Sequence, residues 1–196
     1  MRAPISAQEK ISNMSETKQQ KKRRLAPPKN SPDKDVVMTP PDLAQKIVQY
    51  FYRNYTMYSD DAFIEPCRGN GAFYNAMKVF GEDTNVDWCE LSEGRDFLEK
   101  DFCGQKFDWL ITNFPFSKYV PFLEKSMQIA DNIVTYGTVS HILALRKRLR
   151  IIREAGFYIR EVLLTDTPKG WNTGGFACGA ILLNKQAGDC KFSYLD

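Results

Sequence analysis

The stretch from Ala62 to Phe80 confines the chain to few architectures. Ala62 to Glu65 is a short apolar strand, Pro66-Cys67-Arg68-Gly69-Asn70-Gly71 is a glycine-bearing turn, and Ala72 to Phe80 continues at once as a helix. A strand that turns this tightly into a helix is the first half of a crossover unit, whose next strand runs parallel to the first. The alternation then repeats. Asn85 to Cys89 and Phe107 to Thr112 read as strands, Ser117 to Ala130 as a helix, Ile133 to Val139 as a β-branched strand, and Leu145 to Ala155 as a helix. Phe157 to Leu164 and Phe176 to Leu183 are two more strands across a Pro/Gly-rich link, which suggests an antiparallel pair. The expected fold is α/β, a mostly parallel, doubly wound sheet ending in an antiparallel strand pair.

Upstream of this alternation, Thr39-Pro40-Pro41 reads as a helix start, with Thr39 as the cap and prolines where no amide hydrogen is missed. Leu43, Ala44, Ile47, Val48 and Phe51 then form an amphipathic stripe to about Tyr52. Residues 1–35 lack apolar periodicity and carry Lys21-Lys22-Arg23-Arg24, Pro27-Pro28 and Ser31-Pro32, so a disordered basic arm is expected there. It is either a solvated leader, a non-specific phosphate-binding arm or a nuclear address. The catalytic domain is expected over 36–196. A length of 196 residues suits one domain and leaves little chain for a second core.

Charge and cysteine usage narrow the classes. The net charge of +3 conceals an uneven distribution, because residues 1–35 hold nine Lys and Arg against four Asp and Glu, whereas the rest is slightly acidic. Five widely spaced cysteines and a single histidine, His141, argue against a zinc site or a disulfide framework and favour buried free thiols. No run approaches the roughly 20 apolar residues of a membrane span, and no secretory signal is visible. The expected setting is soluble and intracellular, cytoplasmic or nuclear, with no metal and no membrane partner.

The chemistry gathers where strands are expected to end. Ligands of open α/β sheets bind beyond the carboxyl ends of the strands, so the turn from Glu65 and Pro66 through Gly69 and Gly71 to Phe73 is a ligand turn by position; taken alone it is equally a tight connection. No Gly-Lys-Ser/Thr follows, which excludes a phosphate loop of the Walker type. Glu90 ends the second strand at a spacing suited to a ribose, with Asp87 the competing acid. Asp96-Phe97 pairs a carboxylate with a ring at the next turn, a combination suited to a purine. The third strand leaves through Asn113-Phe114-Pro115-Phe116. There the Asn113 side-chain oxygen and the Phe114 carbonyl can take the two hydrogens of a planar amine, while Phe116 stacks on its ring.

These blocks together resemble the class I S-adenosylmethionine-dependent methyltransferases, and among them the amino methyltransferases that modify adenine N6. The likeness spans about residues 36–185 and implies a Rossmann-like methyltransferase fold with S-adenosylmethionine as cofactor. It implies that Thr39 and Pro40 fold over the methionine end of the cofactor. The loop Glu65, Pro66, Gly69, Gly71 and Phe73 matches the cofactor loop, Glu90 the ribose acid, and Asp96 and Phe97 the adenine pair. Asn113, Phe114, Pro115 and Phe116 match the catalytic Asp/Asn-Pro-Pro-Tyr/Phe motif. Phe114 departs from the proline usual in DNA enzymes and resembles the ribosomal adenine dimethyltransferases, whereas the cofactor loop is that of the DNA enzymes.

The resemblance implies methyl transfer to adenine N6 in DNA with little intrinsic sequence specificity. The alternatives are the same chemistry on structured RNA, or a non-catalytic nucleic-acid-binding subunit of a heteromeric methyltransferase; transfer to a glutamine side chain ranks lower. Nucleic acid is the expected partner, with DNA favoured over RNA and a protein partner supplying target recognition. Lys118, Arg146, Lys147, Arg148 and Arg150 are the expected nucleic-acid contacts, joined by Arg153, although such a run also suits a solvated helix. Trp171 to Gly175 is either a loop at the substrate mouth or a hairpin connection.

Overall fold

The computed structural model describes residues 37–78, 85–143 and 146–195. The expected arm, and the expected helix ends at Phe80 and Leu145, lie outside them. A seven-stranded sheet runs in the order β2-β1-β3-β4-β6-β5-β7. Its strands are β1 (Phe63–Glu65), β2 (Val86–Trp88), β3 (Phe107–Thr112), β4 (Ala130–Thr138), β5 (Tyr158–Thr165), β6 (Cys178–Asn184) and β7 (Lys191–Tyr194). Parallel ladders join β2 to β1, β1 to β3, β3 to β4 and β5 to β7, while β6 lies antiparallel between β4 and β5. The expected antiparallel pair is therefore present, and its second strand is inserted into the sheet instead of being added at the edge. β7 has no counterpart among the strands expected from the sequence.

Side chains of one strand alternate between two layers. Phe63, Trp109, Ile111 and Val134 pack under α1 (Pro41–Asn54) and α2 (Ala72–Lys78). Ile64, Leu110 and Ile133 face α3 (Tyr119–Ile129), α4 (Val139–Leu143) and α5 (Arg146–Glu154). The α1 stripe behaves as its periodicity requires, since Ala44, Ile47, Val48 and Phe51 are all buried. Each large member contributes on the order of 1.5–3 kcal/mol of burial free energy. The start of α1 differs from expectation. Pro40 is the N-cap, so Thr39 lies one residue before the cap and no side chain caps the helix; the Thr39 hydroxyl accepts from the Asn113 amide instead.

Two connections also differ. The expected Ser117–Ala130 helix is a 3-10 turn at Phe116–Lys118 followed by α3, and β4 begins directly at Ala130. The short α4 replaces the expected end of a strand at Val139. The sheet reverses its winding between β1 and β3, which opens a crevice at their carboxyl ends. No helix among the described residues is long and apolar enough to cross a membrane. Cys89 and Cys178 are the buried free thiols expected, but Cys103 and Cys190 are exposed.

Candidate active site

The loops after β1, β2 and β3 converge on this crevice. Gly69 and Gly71 both take positive φ, 52° and 83°, which an L side chain rarely adopts. A Cβ on Gly69 would also lie 2.8 Å from the Met38 sulfur. Glu65 is buried at the end of β1, and its carboxylate accepts the Tyr74 amide at 2.6 Å, closing the first turn of α2. Burial drives this carboxyl well above its ordinary value, against the pull of the Tyr74 amide and Arg68. Phe73 turns into the core beside Tyr136.

Glu90 behaves in the opposite way. Its burial opposes the charge, but hydrogen bonds from Ser92 and Gly69 outweigh it and hold the carboxyl below its ordinary value. One oxygen accepts the Gly69 amide at 2.8 Å, and the other accepts the Ser92 amide and hydroxyl at 3.0 and 2.7 Å. Asp87, the competing acid, is held instead by Arg95 and Lys100 at 2.7 and 2.6 Å.

Pro66, Cys67, Gly69, Glu90, Asp96, Phe97, Asn113 and Pro115 surround a cavity of about 270 Å³. Asp87 is not among its walls, which favours Glu90 over it. Val37, Met38, Leu91 and Phe122 complete the lining, none of which a motif revealed. Lys118 stands at this same cavity, not beside the other cations. Thr39, Glu65, Gly69, Phe73 and Asn113 border a small adjoining pocket. Gly71 shapes the turn by donating its amide to the Arg68 carbonyl, and Pro40 opens α1; neither lines these cavities.

Cys67 ties the first loop to the third. Its thiol donates to the Asn113 carbonyl at 3.2 Å and meets the Thr112 hydroxyl at 3.0 Å. Burial pushes this thiol above its ordinary value, so it stays protonated and able to donate.

Asn113 is oriented by the chain on its other side. Its amide nitrogen donates to the Val37 carbonyl at 3.0 Å and to the Thr39 hydroxyl at 3.4 Å. A carbonyl only accepts, so the nitrogen must lie on that side and Oδ1 on the other. Asn113 Oδ1 is buried and has no hydrogen-bond partner among the described residues. The Phe114 side chain is buried edge-on to Tyr119 and against Phe122, away from the cavities.

A second cavity, about 250 Å³, opens on the far side of Val37 between Phe116, Thr138, His141, Trp171, Asn172 and Thr173. The segment from Trp171 is the connection between the antiparallel β5 and β6, and it also forms a wall of this cavity, where the Trp171 indole donates to the Met38 carbonyl at 3.3 Å. His141 lies edge-on to Phe116 with ring centres 5.1 Å apart. Its chain position alone gives no sign of this, because α4 is too short to show a period. Arg148 corrects the expected set of nucleic-acid contacts: it is buried against the Tyr119 ring and His141. Arg146, Lys147, Arg150 and Arg153 do stand together, exposed around Leu149 on the outer face of α5. Among the described residues no group of three or more His, Cys, Asp or Glu is placed to hold a metal ion.

No family model and no curated protein sequence matches the chain. Solved structures do. A candidate RNA methyltransferase from Pyrococcus horikoshii is 18% identical with a TM-score of 0.57, over 76% of this chain and 87% of that one. A candidate class I S-adenosylmethionine-dependent methyltransferase from Listeria monocytogenes is 10% identical with a TM-score of 0.61, over 82% and 66%. The methyltransferase subunit of a type I restriction-modification system from Streptococcus thermophilus is 13% identical with a TM-score of 0.59, over 80% of this chain and 47% of that one. The chain spans about half the length of that subunit. With the sheet order and the reversed β6, these likenesses establish the fold as the Rossmann-like α/β fold of class I methyltransferases.

Proposed function

We propose that the protein transfers a methyl group from S-adenosylmethionine to the N6 amine of adenine in DNA, with little sequence specificity of its own. The observation that carries this reading is the buried Asn113 Oδ1, unpartnered among the described residues, an acceptor whose direction is fixed by the two bonds of its amide nitrogen. A buried acceptor without a donor costs roughly 1–3 kcal/mol, which an amine hydrogen would recover.

The first cavity has the groups the cofactor needs. Three donors occupy Glu90 and leave about one of its four acceptor positions for a ribose hydroxyl. Asp96 and Phe97 offer an acceptor and a ring to the adenine, and the bare Gly69 lets the ligand approach the backbone. Bound there, S-adenosylmethionine supplies an electrophilic sulfonium methyl.

The rest is done by groups of the chain itself. The lone pair of an adenine amine is delocalised into the ring and is a poor nucleophile. Asn113 Oδ1 and the Phe114 carbonyl accept hydrogen bonds from its two N–H groups, favour a pyramidal nitrogen and return the pair to it; once the nitrogen is methylated, one of the two protons leaves to water. Phe116 stacks on the base, which must first leave the duplex at a cost of a few kcal/mol. Fixed acceptors of this kind need no reorganisation during reaction. The exposed cations of α5 contact the phosphate backbone.

Phe114 in place of proline supports a second reading, the same reaction on structured RNA. A protein partner that supplies target recognition is part of the proposal, because the described residues form one sheet, its covering helices and the connections between them. Asn113→Ala tests the central residue: cofactor binding measured by calorimetry is retained while methyl transfer to nucleic acid is lost. Turnover equal to that of the unaltered protein would remove Asn113 from the mechanism.

A further inference from the structure

Arg148 is the only cation of α5 that turns inward, and it has no carboxylate partner among the described residues. It is 6% exposed, lies over the Tyr119 ring at 4.7 Å, and leaves Nε and Nη1 without hydrogen-bond partners among those residues. A cation without an acid in such a place has to be held by what it does for a neighbour. Its Nη2 reaches His141 Nε2 at 3.2 Å. A guanidinium has only donors, so Nε2 accepts and the imidazole is neutral, with its proton on Nδ1.

His141 in turn lies edge-on to both Phe116 and Tyr119, at 5.1 and 5.5 Å between ring centres. Gly137 near the end of β4 leaves room beside Phe116, since even an added Cβ would stand at an ordinary contact distance of 3.6 Å from the ring. The ring therefore borders the second cavity with the imidazole packed edge-on against it.

We infer that Arg148 and His141 are positioning residues that hold Phe116 in place for the target base, tying the helix that carries the exposed cations to the ring inside the site. The inference rests on the proposed reading of Phe116 as the stacking ring. It separates two functions of one helix: the outer face sets affinity for the phosphate backbone, and Arg148 sets the geometry of the transfer step.

His141 is the only histidine in the sequence, so the test needs no assignment by mutation. With the full chain labelled with ¹⁵N-histidine, nitrogen NMR at neutral pH is expected to show a neutral ring protonated on Nδ1. Arg148→Met, which cannot donate, abolishes that single-tautomer state and Arg148→Lys, which still donates, largely restores it. In steady-state methylation of DNA, Arg148→Met lowers kcat by on the order of a hundredfold, the cost of a small misplacement at a reacting centre. Arg150→Gln raises KM and leaves kcat within about twofold, one rim phosphate contact being an affinity effect.

Cofactor titration and thermal melting confirm that each variant is folded. An imidazole protonated on Nε2, or a kcat unaffected by Arg148→Met, overturns the inference. If the unaltered protein methylates no nucleic acid, the functional reading fails on its own account, and the tautomer measurement still decides whether Arg148 orders His141.

Discussion

Phe114 anchors the loop that leaves β3. Its ring packs edge-on to Tyr119 at 5.3 Å and against Phe122 at 5.7 Å, so the loop is pinned to α3 where a proline would stiffen it through the backbone alone. Phe114→Ala is expected to cost about 3–5 kcal/mol, measured by denaturant unfolding, and Phe114→Leu under about 1.5 kcal/mol. Equal stability of the alanine variant would mean that the ring bears no load. Glu90 makes a different demand. Because it already holds Gly69 and the Ser92 turn, Glu90→Ala should weaken cofactor binding by at least tenfold in calorimetry, about 1.4 kcal/mol for the loss of a charge-assisted bond and its support. Unchanged affinity would reassign the ribose contact.

At the scale of elements, α5 divides into an inward Arg148 and Ile152 and an outward Arg146, Lys147, Arg150 and Arg153. If the outward set meets phosphates, replacing all four by Gln makes the slope of log affinity against log salt shallower, by up to about 0.9 for every phosphate of duplex DNA that is no longer neutralised. A slope that does not change assigns these cations to solvation. The sequence pattern shows the charge of this helix but not its orientation, since nothing in a run of Arg and Lys says which member turns inward. The other elements are legible to different degrees. Phe107–Thr112 is legible to the residue because every member but the exposed Asp108 is buried, which leaves a bulky apolar cluster from Trp109 to Ile111 beside Phe107. β7 is not, because four residues are too few for the alternation of Phe192 and Tyr194 with Lys191 and Ser193 to stand out, and both rings stay exposed, at 64% and 74%. The site follows the same logic. Glu90, Asp96-Phe97 and Asn113 to Phe116 lie in short contiguous motifs, whereas Val37, Met38, His141 and Trp171 come together only through tertiary packing.

Across the whole molecule, one buried acid joins parts distant in sequence. Glu161 on β5 accepts the hydroxyls of Tyr50 and Tyr55, each at 2.6 Å, and lies 3.4 Å from the Lys191 ammonium on β7. Burial opposes its charge, but hydrogen bonds from Ser193 and the two tyrosines, with Lys191, hold its carboxyl below the ordinary value. A folded-state value below the unfolded one means that Glu161 stabilises the fold above the ordinary carboxyl range. That stabilisation is lost as pH falls through the folded value. Melting temperature should therefore drop on acidification more steeply in the unaltered protein than in Glu161→Gln, and parallel curves would contradict this linkage.

The fold itself directs three loops to one crevice, and the proposed function depends on what reacts there. Incubation with S-adenosylmethionine carrying a tritiated methyl group, in parallel with DNA, RNA and protein, followed by digestion to nucleosides and amino acids, tests it most directly. The predicted result is label in N6-methyldeoxyadenosine from DNA, absent with Asn113→Ala. Label confined to another nucleoside or to an amino-acid side chain, or none despite bound cofactor, would contradict it.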